Sequence, residues 1–126
     1  MSVSTAGPAV AWDWAKAAAA AAEDGPGADT VIFDVGDVLG ITEHFVITSG
    51  ATARAVRALS ERIEEAVDLA GGPKPICIEG LSEGEWVLMD YGDFVVHIFT
   101  ASAREYYALD LLWKDCPILA ANPLPT

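Results

Sequence analysis

The chain has 126 residues, 52% of them hydrophobic, with 19 acidic against 7 basic side chains for a formal charge of −12. That length holds one domain with a modest core, and that hydrophobic share excludes a wholly disordered chain. The charge argues against direct binding to nucleic acid or to an anionic membrane, both of which call for a basic patch; it suits a basic protein partner that complementary potential would steer into place, and equally a role in solubility alone.

In chain order, residues 1–8 read as a frayed start and residues 9–23 as an alanine-dominated helix that carries Trp12, Trp14 and Lys16; a weakly docked alanine tract is the other reading. Asp24-Gly25-Pro26-Gly27 ends it. Short apolar runs bounded by turn residues predict strands at 30–35 and 44–48. Residues 53–70 give the clearest helix, because Val56, Leu59, Ile63, Val67 and Ala70 recur on one face and Gly71-Gly72-Pro73 stops the run. Arg54, Arg57 and Arg62 fall on this helix, interleaved with acids. Three more strands are expected at 75–79, 86–91 and 94–100, the last two joined by the turn Asp90-Tyr91-Gly92-Asp93. One or two short helices follow at 101–108 and 109–113, with Ser102 as a candidate N-cap, and residues 122–126 read as a Pro-rich tail.

The resulting order, α-β-β-α-β-β-β-α, predicts an α/β (α+β) domain built on a five-stranded mixed sheet flanked by helices. The crossover between residues 44 and 79 is long enough for parallel pairing, and the shorter connections favour antiparallel neighbours. Cys77 and Cys116 lack metal-ligand spacing, and Cys77 sits in an apolar run as a buried free thiol would. A reduced, cytoplasmic location follows as the default, with no leader and no membrane span expected. No metal and no cofactor are expected.

Several constellations bear on function. Val31-Ile32-Phe33-Asp34-Val35-Gly36-Asp37 looks like the nucleophile motif of haloacid-dehalogenase-type phosphatases, and Phe99-Thr100-Ala101-Ser102 mimics a second motif of that superfamily. That chemistry also needs a nearby cation and further carboxylates for magnesium. After Thr100 there is a single lysine, Lys114, and no adjacent acidic pair, so Asp34 and Asp37 are expected to shape the strand end and its turn. Period two puts Trp86, Leu88 and Asp90 on one face of their strand, and Val95, His97 and Phe99 on one face of the next. Register decides whether the two faces coincide. A general base or metal ligand would need partners, and His44 is the only other histidine, so His97 reads as a hydrogen-bonded histidine at the rim of a binding face or in the core. The Trp, the acids, Arg104 and Tyr106 together have the makeup of a protein-binding patch, in which Trp, Tyr and Arg dominate affinity. Tyr106, Tyr107, Leu109, Leu112 and Trp113 form an apolar cluster that is mostly core, with one tyrosine hydroxyl at the surface.

Glu79-Gly80, Trp86, the run from Leu88 to Asp93, His97, Phe99, Arg104, Tyr106-Tyr107, Leu109 and Leu112-Trp113 resemble, in this order and spacing, the ribosomal silencing factor (Iojap) family. The likeness continues upstream in Phe33-Asp34-Val35, Ile41-Thr42, Phe45-Val46-Ile47, Ser49-Gly50, Arg54 and Val56. It defines a domain at 29–116, preceded by a helix and linker at 1–28 and followed by a tail at 117–126. The resemblance implies a mixed sheet of nucleotidyltransferase-like topology. The paired carboxylates of a nucleotidyltransferase do not follow Ser49-Gly50 here, and Glu83 and Glu85 fall in an expected loop, so catalysis is not expected. The resemblance further implies a non-enzymatic factor that binds the large ribosomal subunit through its basic protein L-fourteen and sterically blocks the small subunit, repressing translation when nutrients are short. The contact set expected on this basis is Trp86, Asp90, Tyr91, Asp93, His97, Arg104 and Tyr106. Glu43-His44 and Ala55 depart from residues frequent in the family, which puts contacts from those regions in doubt. The alternatives are a magnesium-dependent phosphoryl-transfer enzyme using Asp34 and a self-associating scaffold; a homodimer in the unbound state stays open.

Overall fold

A computed structural model describes residues 6–36, 40 and 42–121. Residues 1–5, the turn aspartate Asp37 and residues 122–126 lie outside the described residues; of the start expected to fray at 1–8, residues 6–8 are instead helical. The elements are α1 (Ala6–Asp24), β1 (Ala28–Asp34), β2 (His44–Gly50), α2 (Ala53–Leu69), β3 (Cys77–Glu79), β4 (Trp86–Asp90), β5 (Phe94–Thr100), α3 (Ala101–Tyr107), α4 (Leu109–Leu112) and β6 (Ile118–Ala121). They form an α+β fold on one mixed sheet of order β3-β4-β5-β2-β1-β6. β2 and β5 pair in parallel at its centre, and every other neighbouring pair is antiparallel.

The sheet has six strands rather than the expected five. Residues 118–121 fall in the segment read as tail, yet they pair with β1, and the Asp34 N–H donates to the Pro117 carbonyl at 2.9 Å. Four residues after a proline carry too little periodicity to announce a strand, and only the unpaired edge of β1 makes them one. The parallel neighbour of β2 is β5, not the strand that directly follows α2; β3 instead pairs at the far edge with β4. There Cys77 is exposed, against the expectation of a buried thiol, because an edge strand of three residues has little to cover it.

Helices α1 and α2 lie together on one face of the sheet. In α2 the Thr52 side chain accepts from the Ala55 N–H at 3.1 Å and caps the helix, while Val56, Leu59, Ile63 and Val67 point inward. After α2, Gly71 at φ +87° and the Gly72 N–H bonded back to the Val67 carbonyl at 2.9 Å close a left-handed helix end. The alanines of α1 are part of this core: Ala11, Ala15, Ala18 and Ala22 are fully buried, at spacings that repeat on one helix face. Their small side chains let α1 lie close against α2 and the sheet. From the strands, Ile32, Val46, Val87, Met89, Phe94, Val96 and Ile98 complete this layer.

The other sheet face is only half covered. Phe33, Val35, Ile47 and Phe99 are buried there with Ala103 and Cys116, under α3, α4 and the chain leading to β6. α3 is capped by Thr100, whose hydroxyl accepts from the Ala103 N–H at 3.2 Å, rather than by the expected Ser102. It ends at Ala108, in left-handed backbone at φ 52°. Toward β4 and β3 the cover thins: Tyr107 of α3 packs on Trp86 at 4.8 Å between ring centroids, and Leu88 and Asp90 are partly exposed. Among the described residues no helix is long and apolar enough to cross a membrane.

Candidate functional site

The hairpin of β4 and β5 builds the site. Its turn is fixed by the Asp90 carboxylate, which accepts the Gly92 N–H at 2.8 Å, and by a bond of 3.0 Å from the Tyr91 N–H to the Phe94 carbonyl. Gly92 supplies the required positive φ of 88°. This turn pairs Trp86 with Phe99, Leu88 with His97 and Asp90 with Val95. The two faces left open by the sequence therefore coincide: Trp86, Leu88 and Asp90 stand beside His97 and Val95 on the half-covered side.

The Trp86 indole N–H donates to His97 Nδ1 at 3.1 Å. An indole nitrogen is only a donor, so Nδ1 acts as acceptor and the neutral ring carries its proton on Nε2. Burial pushes the His97 pKa down to about 4, which keeps the ring neutral at physiological pH. His97 packs edge-on to Phe45 at 4.6 Å between ring centroids, and Phe45 packs edge-on to Trp113 at 5.5 Å. Trp86 is held on its other side by Phe99 at 5.0 Å and Tyr107 at 4.8 Å. The outcome is a partly buried tryptophan fixed in one orientation by a hydrogen bond and two ring contacts.

The expected contact residues do not all meet here. Trp86, Asp90 and His97 share the open face, and Asp93 is exposed at the end of the hairpin. Tyr91 does not: it is buried in the helix-covered layer, stacked on Phe94 at 4.6 Å, and its hydroxyl pKa is raised to about 12 by burial and then by Glu64. Positions 87, 89 and 91 alternate to the helix side, so strand parity already separated Tyr91 from Trp86 and Asp90. Tyr106 is 82% exposed and reaches Trp86 only through Tyr107, which it meets edge-on at 5.1 Å. Phe45, Leu88 and Tyr107 belong to the site without having been in that set. Leu88 carried the same period-two signal as its neighbours, whereas the approach of Phe45 depends on the pairing of β2 with β5.

Arg104 works internally. Its Nε and Nη2 grip the two carboxylate oxygens of Asp110 at 3.1 and 2.8 Å, and Nη1 reaches the Ala28 carbonyl and Ser49 Oγ, each at 3.4 Å. This forked contact ties α3 to α4 and both to the ends of β1 and β2. Arg104→Ala is expected to destabilise the fold by about 1–2 kcal/mol in urea unfolding, the pair being partly exposed. Arg104→Lys should recover little, because an ammonium lacks the fork.

The features that invited an enzymatic reading have structural partners. Asp34 accepts the Gly36 N–H at 3.2 Å, a turn role, and Ser49 Oγ donates to the Ala28 carbonyl at 3.1 Å. Among the described residues no group of three or more His, Cys, Asp or Glu side chains is placed to hold a metal ion. Among them, too, the ion pairs are Lys16–Asp13 and Arg104–Asp110, so Asp90 and Asp93 stand on the open face without a cation beside them.

A small α+β domain that presents a fixed aromatic anchor and uncompensated acids on an uncovered sheet face has the makeup of a protein-docking module. Comparison with known proteins makes this specific. Residues 8–125 match the family described as "Ribosomal silencing factor during starvation". Ribosomal silencing factor RsfS of Bacillus subtilis is 36% identical over 103 residues, spanning 82% of this chain and 86% of that protein. The crystal structure of protein CV0518 from Chromobacterium violaceum superposes with a TM-score of 0.77 at 32% identity, over 82% of this chain and 85% of that one. A mouse protein named "Mitochondrial assembly of ribosomal large subunit protein 1" is 28% identical over 88 residues, 68% of this chain and 38% of its own length. The chain belongs to the ribosomal silencing factor family.

Proposed function

We propose that this protein represses translation by docking its open β4–β5 face on the basic protein L-fourteen of the large ribosomal subunit, where it stands in the way of the small subunit. It acts in the cytoplasm as a steric block, without catalysis. The observation that carries this reading is Trp86, held by His97, Phe99 and Tyr107 on a face whose acids have no cation beside them. Trp86 is the anchor, Asp90 and Asp93 pair with basic groups of the partner, and Tyr106 and Tyr107 extend the contact from α3. His97 and Arg104 act by holding Trp86 and α3 in position. The net charge of −12 suits a basic ribosomal protein and disfavours contact with ribosomal RNA. Family membership, together with the wording of the mouse relative's name, supports the choice of the large subunit.

The test is co-sedimentation of the purified protein with separated ribosomal subunits, followed by a subunit-joining assay. Binding to the large subunit alone and suppression of joining are expected. Trp86→Ala should weaken binding by about 2 kcal/mol or more, roughly 30-fold, and restore joining. A folded Trp86→Ala protein that binds and blocks like the wild type would remove Trp86 as the anchor. A wild-type protein that binds neither subunit would overturn the proposal.

A further inference from the structure

A cavity of about 330 Å3 opens on the same face, on the Asp90 side of the Trp86–His97 pair. Phe45, Ile76, Leu88 and Val95 give it apolar walls, and Thr42, Asp90 and His97 are its polar groups. Two of these are buried without a partner among the described residues: Thr42 Oγ1 in a residue 7% exposed, and His97 Nε2 in a residue 4% exposed. A buried polar atom left unsatisfied costs about 1–3 kcal/mol, so both favour a ligand that completes them. The third, Asp90, is held by the Gly92 N–H, which aims its carboxylate without neutralising it. The chain around the cavity adds the exposed acids Glu43 and Asp93, linked by a bond of 2.8 Å from the Glu43 N–H to the Asp93 carbonyl.

We propose that this cavity is the anchor pocket for a basic side chain, lysine or arginine, presented by the protein on which the β4–β5 face docks. The inference rests on the docking reading above and names what enters the site. The apolar walls suit a methylene stem, and the cation at its end meets the Asp90 carboxylate and donates to the Thr42 hydroxyl. His97 needs an acceptor for its Nε2–H, which a backbone carbonyl of the same partner segment supplies. An acidic side chain would also satisfy His97 and Thr42, but Asp90 and its acidic neighbours repel it. An apolar side chain would leave both buried atoms unsatisfied. The neutrality of His97 removes the cation that would otherwise oppose a basic guest.

Titration of the 15N-labelled protein with n-butylguanidinium tests the pocket without any ribosome, with butyrate and n-butanol as controls. Saturable shifts of the Gly92 amide and the Trp86 indole N–H are expected with n-butylguanidinium, in the millimolar range of a fragment. They should be weaker with n-butanol, absent with butyrate, and lost in Asp90→Asn, which keeps an acceptor for Gly92. Equal or stronger shifts with butyrate or n-butanol, or shifts that survive Asp90→Asn, would overturn the assignment, as would no saturable shift at all. On the large subunit, Asp90→Asn and the cavity-filling Val95→Phe should each bind about tenfold more weakly or worse, with folding checked by circular dichroism. If the wild type binds and a folded Val95→Phe protein binds as well, the pocket assignment falls alone. If the wild type does not bind while n-butylguanidinium does, the ribosomal reading falls and the pocket remains a site for a basic side chain.

Discussion

Gly80→Ala is expected to destabilise the protein by about 3–5 kcal/mol, the sum of backbone strain and a clash that cannot relax. Gly80 lies between β3 and β4 at φ +92°, and a Cβ there would collide with the carbonyl oxygen of Trp86. That oxygen is backbone of the adjoining strand, so no side-chain rotation makes room. To accept the methyl group, β3 or the start of β4 must move, and β4 is the strand that carries Trp86. Gly71→Ala is the control: φ is +87°, but nothing lies within 4 Å of the new Cβ, so only the strain of about 1 kcal/mol applies. Thermal unfolding of the two variants separates the effects. A Gly80→Ala protein no less stable than Gly71→Ala would show that the close approach of the two backbones is not needed for the fold. Where Gly80→Ala retains a folded population, the Trp86 indole N–H resonance should move, because its bond to His97 depends on the placement of β4.

The elements of this fold were legible wherever a side-chain period ran long enough. Val56, Leu59, Ile63 and Val67 mark α2, and the apolar runs on either side of Asp90-Tyr91-Gly92-Asp93 mark the hairpin, whose alternation of side chains along a strand names which share a face. What the alternation could not supply was register. Leu88 meets His97 because of the turn at Gly92, and a slip of one residue would have carried Trp86 to the helix side. Long-range pairing was equally hidden. The choice of β5 as the parallel neighbour of β2 brings Phe45 against His97, and the free edge of β1 recruits residues 118–121 as a strand. The alanines of α1 gave no amphipathic signal, since small side chains carry little hydrophobic contrast, yet they are what lets two helices and a sheet pack closely. Tyr91 keeps company with turn residues, but its strand parity puts it on the helix side, where it is buried. For Arg104 the sequence leaves open whether it orients a neighbouring acid or reaches a partner, and Asp110, six residues on, occupies its fork.

His97 gives the fold a specific weakness to acid. Its pKa falls from the ordinary 6.5 to about 4 in the folded protein because burial penalises the charged ring. Above pH 6.5 the ring is neutral both folded and unfolded, and the full stability is present. As pH falls through 6.5 the unfolded chain takes up a proton that the folded one refuses until about pH 4, so stability drops across that window and levels off below it. A shift of that size corresponds to a loss of about 3 kcal/mol. His44, also lowered by burial although Asp34 and Glu43 oppose the shift, adds a loss of the same sign. The measurement is urea unfolding from pH 7 to pH 4 for the wild type, His97→Gln and His44→Gln. The His97→Gln protein, whose amide oxygen can still accept from Trp86, should show a shallower decline over the window even if it is less stable at pH 7, and His44→Gln should change the slope less. The same protonation also acts on Trp86. An imidazolium has no acceptor at Nδ1, so protonation of His97 breaks the bond from the Trp86 indole. Proton resonances of the His97 ring that stay constant from pH 8 to pH 5 and move only below would match this account. A midpoint near 6.5 would mean that the ring is solvated, and would remove both the acid weakness and the fixed placement of Trp86 that depends on a neutral His97.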